Sequence, residues 1–411
     1  MAETALPLST APVARFEIVA GPAAIEGEWR AFEATAIGHV FQTWDFVATW
    51  LATVGAARRV KPAIVVGRGR DGAILCLLPL GISGCLGARL LAWLGGEHAD
   101  YHCGLYAPGF LKGLAETGGG GAFLAPVGRL FPGRALRAAF VASVVGLFRG
   151  AADIVHLQRQ PEAIGGDANP FALWRASRYT LTSHLTRLGS SFDEYYRSKR
   201  NSSSRRHDRL KWQKLEAAAA PVEIVDATTP EEAEAILAEM FVQKRASLRA
   251  RNVPDMFARA GVPEFYRAIT HHPWPAGLSH VSAIRAGGKV IAANWGLVRG
   301  NRYYYVMTSY CPGPLSAHSP GRALLYHLME WAIARGIEEF DFTIGDEDFK
   351  GHWCEEQMAI RDSVAVLTPR GLWPATVFGL LKPAKTMVKT SPFLTRHVGR
   401  IRLGLARLRG R

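Results

Sequence analysis

The stretch from Ser319 to Trp353, SPGRALLYHLMEWAIARGIEEFDFTIGDEDFKGHW, constrains the fold more than any other. Ser319 suits an N-cap, and Pro320 suits the first helical position, where its missing N–H costs nothing. Leu324, Leu328, Trp331 and Ala332 follow at helical spacing, so one face is apolar. Gly336 stands where a helix stops, with Arg335 in the last turn facing the negative end of the dipole. Ile337 to Ile344 then predicts a buried strand, closed by Gly345 and a polar loop of Asp346, Glu347 and Asp348. Gly321 and Arg322 stand in the first helical turn, where free N–H groups already make the helix end positive. An arginine there is either an exposed cation at a small cost or part of a phosphate site, since a helix N-terminus with a glycine suits a bound anion. On the residues alone both readings stand.

The 411 residues predict two to three domains, and a hydrophobic content of 48% is ample for packed cores. The five cysteines are scattered without a CxxC pair, which indicates neither a zinc ribbon nor a disulfide framework. A reducing compartment fits that usage. The N-terminus has no basic region followed by an apolar core, so a secretory leader is not expected. The longest run free of charged residues and histidine, 72–88, is broken by Pro79, Gly81, Gly84 and Gly87 and is too short for a membrane span.

The net charge of +14 is concentrated. Residues 197–214 hold eight basic residues and one acidic, and residues 370–411 hold ten basic and no acidic one. These segments exceed the total, leaving the rest of the chain at −3. The basicity therefore marks two local anion-facing surfaces rather than a protein coated by nucleic acid.

In order along the chain, the pattern predicts a strand at 16–20, helices at 29–33 and 44–54, and strands at 61–67 and 73–80 joined through Gly69, Asp71 and Gly72. A glycine-led loop, GGEHADYHCGLY, gathers His98, Asp100, Tyr101 and His102; with Gly95-Gly96 in front, packing or substrate contact suits it better than a metal. The segment 192–220 is helical and basic, with Asn-Ser-Ser-Ser at 201–204 a poor helix former that divides it. The second half repeats the plan of strand, helices, antiparallel hairpin, helix and strand. The fold class is α+β, two mixed-sheet domains in tandem: 15–190, a basic helical linker 191–220, 221–369, and a basic amphipathic tail 370–411.

SPGRALL, GIEEFDFTIG and DFKGHW, together with LLPLGIS, LLAWLGGEHADYH and the helix SFDEYYRSKR…RRHDRLKWQKLE, resemble the CelD-like acyltransferases of the GNAT superfamily, which occur with bacterial cellulose and exopolysaccharide synthesis genes. The resemblance spans most of residues 15–368 and extends to the FemABX aminoacyltransferases, which hold two GNAT-like halves in one chain. It departs at the NSSS interruption and at the glycine-rich pyrophosphate loop, here reduced to Ser319-Pro320-Gly321-Arg322. It implies acyl transfer from acetyl-CoA or another acyl-CoA, without a metal, to an amine or hydroxyl acceptor that is saccharide-linked. Pyrophosphate would bind at Ser319, Gly321, Arg322 and Ala323, with Thr308 on the strand that supplies a backbone donor to the thioester. Tyr310 would protonate the departing thiolate, with Asp341 or Asp346 as base and His318 as an outsider. Lys350, Trp353 and Asp100 would contact substrate. Asp341 equally suits a hydrogen-bonded structural carboxylate, and Trp353 a core residue.

The tail interleaves Trp373, Phe378, Leu380, Leu381, Val388, Phe393 and Leu394 with lysines and arginines. It suits an anionic membrane surface, which would make a cytoplasmic protein peripheral at the inner face, or a helix packed on the second half. Two alternatives to acyl-CoA chemistry are aminoacyl transfer from tRNA and a catalytically silent scaffold of a polysaccharide synthase complex.

Overall fold

The computed structural model describes residues 13–116, 132–219, 221–345 and 347–379. They form two units, one of residues 13–182 and 358–379, the other of residues 183–357. The Gly-rich segment 117–131, Asp346 and the tail beyond residue 379 lie outside the described residues.

In the first unit, β1 (Arg15–Val19), α1 (Glu26–Glu33) and α2 (Trp44–Trp50) precede the short β2 (Lys61–Pro62). β3 (Ile64–Arg68) and β4 (Ile74–Leu78) form the expected hairpin, with Val65 opposite Leu78 and Gly72 at φ 84° in its turn. The pattern predicts one strand through Leu80, whereas the structure divides it at Pro79. β4 pairs with β3, and β5 (Leu80–Cys85) pairs with β6 (Ala88–Trp93) in another sheet. Proline offers no N–H to a ladder, so the chain changes sheets there. β7 (Leu105–Tyr106), α3 (Phe110–Glu116), α4 (Pro132–Gly146) and β8 (Ile154–Pro161) follow, with β6 and β8 parallel. β9 (Ala163–Ile164) and β10 (Asp167–Ala168) make a small hairpin.

β11 (Ala176–Arg187) leads into the second unit. There α5 (Phe192–Lys199) and α6 (Ser202–Ala218) meet at Asn201, whose side chain accepts the Ser204 N–H at 2.8 Å. The NSSS interruption is thus the capped start of a helix. This segment is built into the unit rather than linking two others: Tyr195 and Leu215 are buried with Leu328, Phe340 and Trp353 in one core. β12 (Val222–Asp226), α7 (Pro230–Ala250) and α8 (Val262–Thr270) come next. β13 (Ser279–Ala286), β14 (Lys289–Arg299) and β15 (Arg302–Tyr310) form the predicted antiparallel run. α9 (Pro320–Ala334) returns the chain to β16 (Glu339–Ile344), which lies parallel to β15. This unit's ladder runs β12-β13-β14-β15-β16-β11.

The final strand, β17 (Glu356–Val366), belongs from Met358 onward to the first unit, where Ile360 to Val366 pair antiparallel with β8. Ser363 donates to the Phe171 carbonyl at 2.9 Å and accepts from Gln160 at 3.1 Å, both in the buried core. Alternation in a sequence locates a strand but not the sheet it joins, so its assignment to the second half followed chain order alone.

The second unit's sheet is interrupted where it matters. β15 and β16 pair only from Arg302–Glu339 to Tyr304–Asp341. Directly beyond, β15 carries one extra residue against β14, between the Leu297–Tyr304 and Trp295–Met307 pairs. β16 likewise carries one extra residue against β11, between Leu185–Asp341 and Ser183–Ile344, with Thr343 at φ 56°. A bulge bends its strand and re-aims its side chains. Tyr303 and Tyr305 pack on Phe340, while Ser309 beyond the bulge bonds Gln243 of α7 at 2.7 Å. Opposite the β15 bulge stands Gly296, where an added Cβ would lie 2.2 Å from the Tyr303 hydroxyl. That hydroxyl is fixed, because buried Tyr303 donates to Asn294 Oδ1 at 2.6 Å. Gly296→Ala is therefore expected to cost about 1–3 kcal/mol; denaturant unfolding measures it, and an unchanged midpoint would refute the account of the bulge.

Candidate active site

The part of β15 beyond its pairing with β16, the start of α9 and the segment after β16 share one cavity of about 790 Å³. β15 contributes Tyr305, Thr308, Ser309 and Tyr310; α9 contributes Ser319, Gly321, Arg322 and Tyr326. Asp348, Phe349, His352 and Trp353 line it from the segment after β16. Three sequence candidates of different roles, Thr308, Gly321 and Trp353, thus meet in one space.

The α9 terminus is built to leave a donor free. Ser319 adopts a left-handed conformation, φ 58° and ψ 52°, and its side chain does not cap the helix. Its carbonyl takes the N–H groups of Arg322 at 3.0 Å and Ala323 at 3.3 Å. This corrects the expectation that three backbone donors face an anion: Pro320 has no N–H, two are closed on Ser319, and Gly321 supplies the remaining one. A Cβ at Gly321 would meet nothing within 4 Å, so the backbone is approachable there. The Ser319 hydroxyl accepts from Lys211 Nζ of α6 at 2.9 Å.

Arg322 is not the isolated cation that the sequence suggests. Its Nη1 donates to Asp208 Oδ1 at 2.8 Å. Asp208 also accepts from the Tyr326 hydroxyl at 2.7 Å, the Tyr196 hydroxyl at 2.9 Å and Arg200 at 3.5 Å. One carboxylate, its side chain 7% exposed, joins α5, α6 and α9. Burial pushes the Asp208 carboxyl up, but bonds from Tyr326, Arg322 and Tyr196 outweigh this and hold it below its usual value. Burial, then Asp208, pushes the Tyr196 phenol up to about 12, so it is a donor at neutral pH.

Tyr310 stands at the end of β15, 62% exposed, at the cavity rim. Asp341, by contrast, is buried and turned to protein partners. Its Oδ1 accepts the Thr343 N–H at 2.8 Å, and its Oδ2 lies 3.5 Å from Arg302. The Asx bond stabilises the left-handed turn at Thr343, so this carboxylate shapes β16 rather than facing a substrate. Asp346 lies outside the described residues. Lys350 is likewise corrected from substrate contact: it is 4% exposed, and its Nζ donates to the Ile344 carbonyl at 3.2 Å and pairs with Glu347 at 2.9 Å. It pins the turn that follows β16. Trp353 is 4% exposed, stacks near Tyr195 and Tyr196, and forms a cavity wall. Asp100 belongs to the first unit, where Arg159 lies at 3.3 Å. His318 lines a neighbouring cavity instead.

Sequence reasoning passed over Asp348 and His352, the ionisable side chains that the segment after β16 brings to the cavity, and Asp208. The loop DEDFKGHW held the first two in plain view. Asp208, lying among eight basic residues, was the signal for a buried partner.

Residues 202–351 match the family Acetyltransferase (GNAT) domain. The second unit thus carries a GNAT domain, and the protein is a transferase of the GNAT type. Among solved structures, FemX aligns at 11% identity over 82% of this chain and 96% of its own, with a TM-score of 0.55. The C-terminal domain of a putative lysylphosphatidylglycerol synthetase from Agrobacterium fabrum aligns at 10% identity over 89% and 96%, TM-score 0.49. A tandem GNAT protein from the clavulanic acid biosynthesis pathway aligns at 13% identity over 86% and 99%, TM-score 0.41. No curated protein matches the chain. Among the described residues no helix is long and apolar enough to cross a membrane.

Replacing Asp208 by Asn keeps the shape and removes the charge that Arg322 and Arg200 face. A loss of about 3 kcal/mol is expected at pH 7. Because its folded-state pKa is depressed, Asp208 stabilises the fold above the ordinary carboxylate value, near 4, and this contribution fades as pH falls below it. The gap in stability between wild type and Asp208→Asn is therefore expected to narrow in acid; a gap that is constant from pH 7 to 3 would refute the linkage.

Proposed function

We propose that this protein transfers an acyl group from a coenzyme A thioester to an amine or hydroxyl acceptor. The observation that carries this reading is the single cavity joining the part of β15 beyond its pairing with β16 to the open N-terminus of α9. The Gly321 N–H, the helix dipole and Arg322 suit the pyrophosphate, and Arg322 keeps further N–H donors beyond the one given to Asp208. The unpaired edges of the parted strands suit the pantetheine amides and the thioester oxygen, with Thr308 beside them. Tyr310 is the acid for the departing thiolate. With Asp341 committed to Arg302 and Thr343, the base is sought first in Asp348 and His352, which share the cavity with Tyr310. Saccharide-linked acceptors of envelope or exopolysaccharide synthesis are the class to test first, on the strength of the sequence resemblance.

Calorimetry with acetyl-CoA on the full chain tests the donor reading. Binding is expected in the wild type and is lost in Gly321→Glu, whose carboxylate enters the space where the anion lies while the backbone is undisturbed. Retained binding in that variant, or no binding in the wild type alongside binding of aminoacyl-tRNA, would reject it. Once an acceptor supports turnover, Tyr310→Phe is expected to lower kcat by about 10²-fold at unchanged donor affinity. An equal kcat would remove Tyr310 from the chemistry.

A further inference from the structure

A second cavity of about 600 Å³ lies within the same unit, between α6, α9 and β12. It shares Ser319, Arg322 and Tyr326 with the first but is otherwise walled by different residues. Its lining holds five cations, Arg197, Arg205, Arg209, Lys211 and Arg322, against three carboxylates. Two of those carboxylates are already committed: Asp208 to Arg322 and Arg200, and Asp193 to Arg197 at 3.6 Å. Lys211 is half-buried, and its partner among the described residues is the neutral Ser319 hydroxyl. An ammonium withdrawn from water without a counter-ion is costly, and an anion from solution is the natural complement.

The lining also carries a held imidazole. His327 of α9 donates Nε2 to both oxygens of Asp226, at 3.0 and 2.9 Å, leaving Nδ1 as the ring atom for a ligand. Asp226 is fixed in turn by His280, at 3.4 Å, which lies over Trp331. Trp212 and Tyr196 supply aromatic surface. Cations, aromatic walls and room for a small molecule describe a recognisable ligand chemistry.

We infer that this second cavity is a binding site for the phosphate end of a nucleotide. Lys211 and Arg209 hold the phosphate, Trp212 and Tyr196 flank the ring system, and His327 contributes a hydrogen bond. The site stands on its own side chains and does not require the acyl-transfer reading. Two sources share this chemistry: the 3′-phosphorylated adenosine end of the donor itself, and a separate nucleotide such as that of a nucleotide-linked sugar.

Calorimetry on the full chain with adenosine 3′,5′-bisphosphate, and separately with uridine diphosphate, tests the inference. At least one is expected to bind. Arg209→Glu and Lys211→Met should each weaken it by about tenfold or more, while Phe349→Ala in the other cavity leaves it unchanged. Arg209 is exposed, so its reversal leaves folding intact, which thermal unfolding verifies. Displacement by coenzyme A but not by its 3′-dephospho form assigns the site to the donor; binding that persists beside coenzyme A assigns it to a separate nucleotide. Failure of both nucleotides to bind at millimolar concentration would overturn the inference. So would binding untouched by Arg209→Glu, which would move the phosphate to the start of α9.

Discussion

The parting of β15 and β16 is the constraint on which the second unit depends. Two parallel strands that pair over three residues leave their remaining edges without ladder partners. Buried N–H and C=O groups without partners are costly, so a sheet does not open without compensation. Here it comes from both sides. β15 keeps its ladder with β14 as far as Ala292–Tyr310, and β16 keeps its ladder with β11. Each takes up the divergence in a bulge, and each bulge is fixed by a side chain: Tyr303 against Gly296, and Asp341 on the Thr343 N–H. Arg302, bonded to Glu339 at 2.6 Å and 3.5 Å from Asp341, ties the strands over the short stretch where they pair. The gap is a built feature, because its closure would require both bulges to vanish together.

The helices set what the gap opens onto. α9 begins with a left-handed serine that does not cap it, which spends helix stability to leave the Gly321 N–H free. α6 lies against that end through Lys211–Ser319 and Arg322–Asp208. The carboxylate among eight basic residues thus decides the geometry of the cavity mouth. Removing it would free Arg322 and also detach Tyr196 and Tyr326, so charge and architecture cannot be separated at this position.

Much of this was legible in the residues. The α9–β16 unit, the β13–β15 run, the break at residues 200–204 and the mixed-sheet class all follow from period, caps and turns. The site was less so, for reasons that differ by residue. Asp341 alternates with Phe340 and Phe342, and alternation cannot reveal an Asx bond that depends on Thr343 being left-handed. Lys350 sits in a motif that suggested substrate, yet its partner is a carbonyl six residues earlier. The bulge in β15 is silent in sequence because Tyr, Val and Met suit a strand with or without an extra residue. Gly296 was its one visible trace, since a glycine inside a strand marks close approach of another group. The fate of β17 is a question of long-range partnership, which no local pattern carries.

The charge distribution reads in the sequence as two basic surfaces, and the structure divides the first of them by its pairing. Arg200 is paired with Asp208, and Lys199 with Glu355, so part of this basicity is structural. Arg209 and Lys211, on the same helix, have no carboxylate partner among the described residues. A helix that only needed solubility would not hold a half-buried ammonium against a serine hydroxyl at the foot of a second helix. Net charge alone could not separate these cations, because pairing rather than number determines which of them remain available to a ligand.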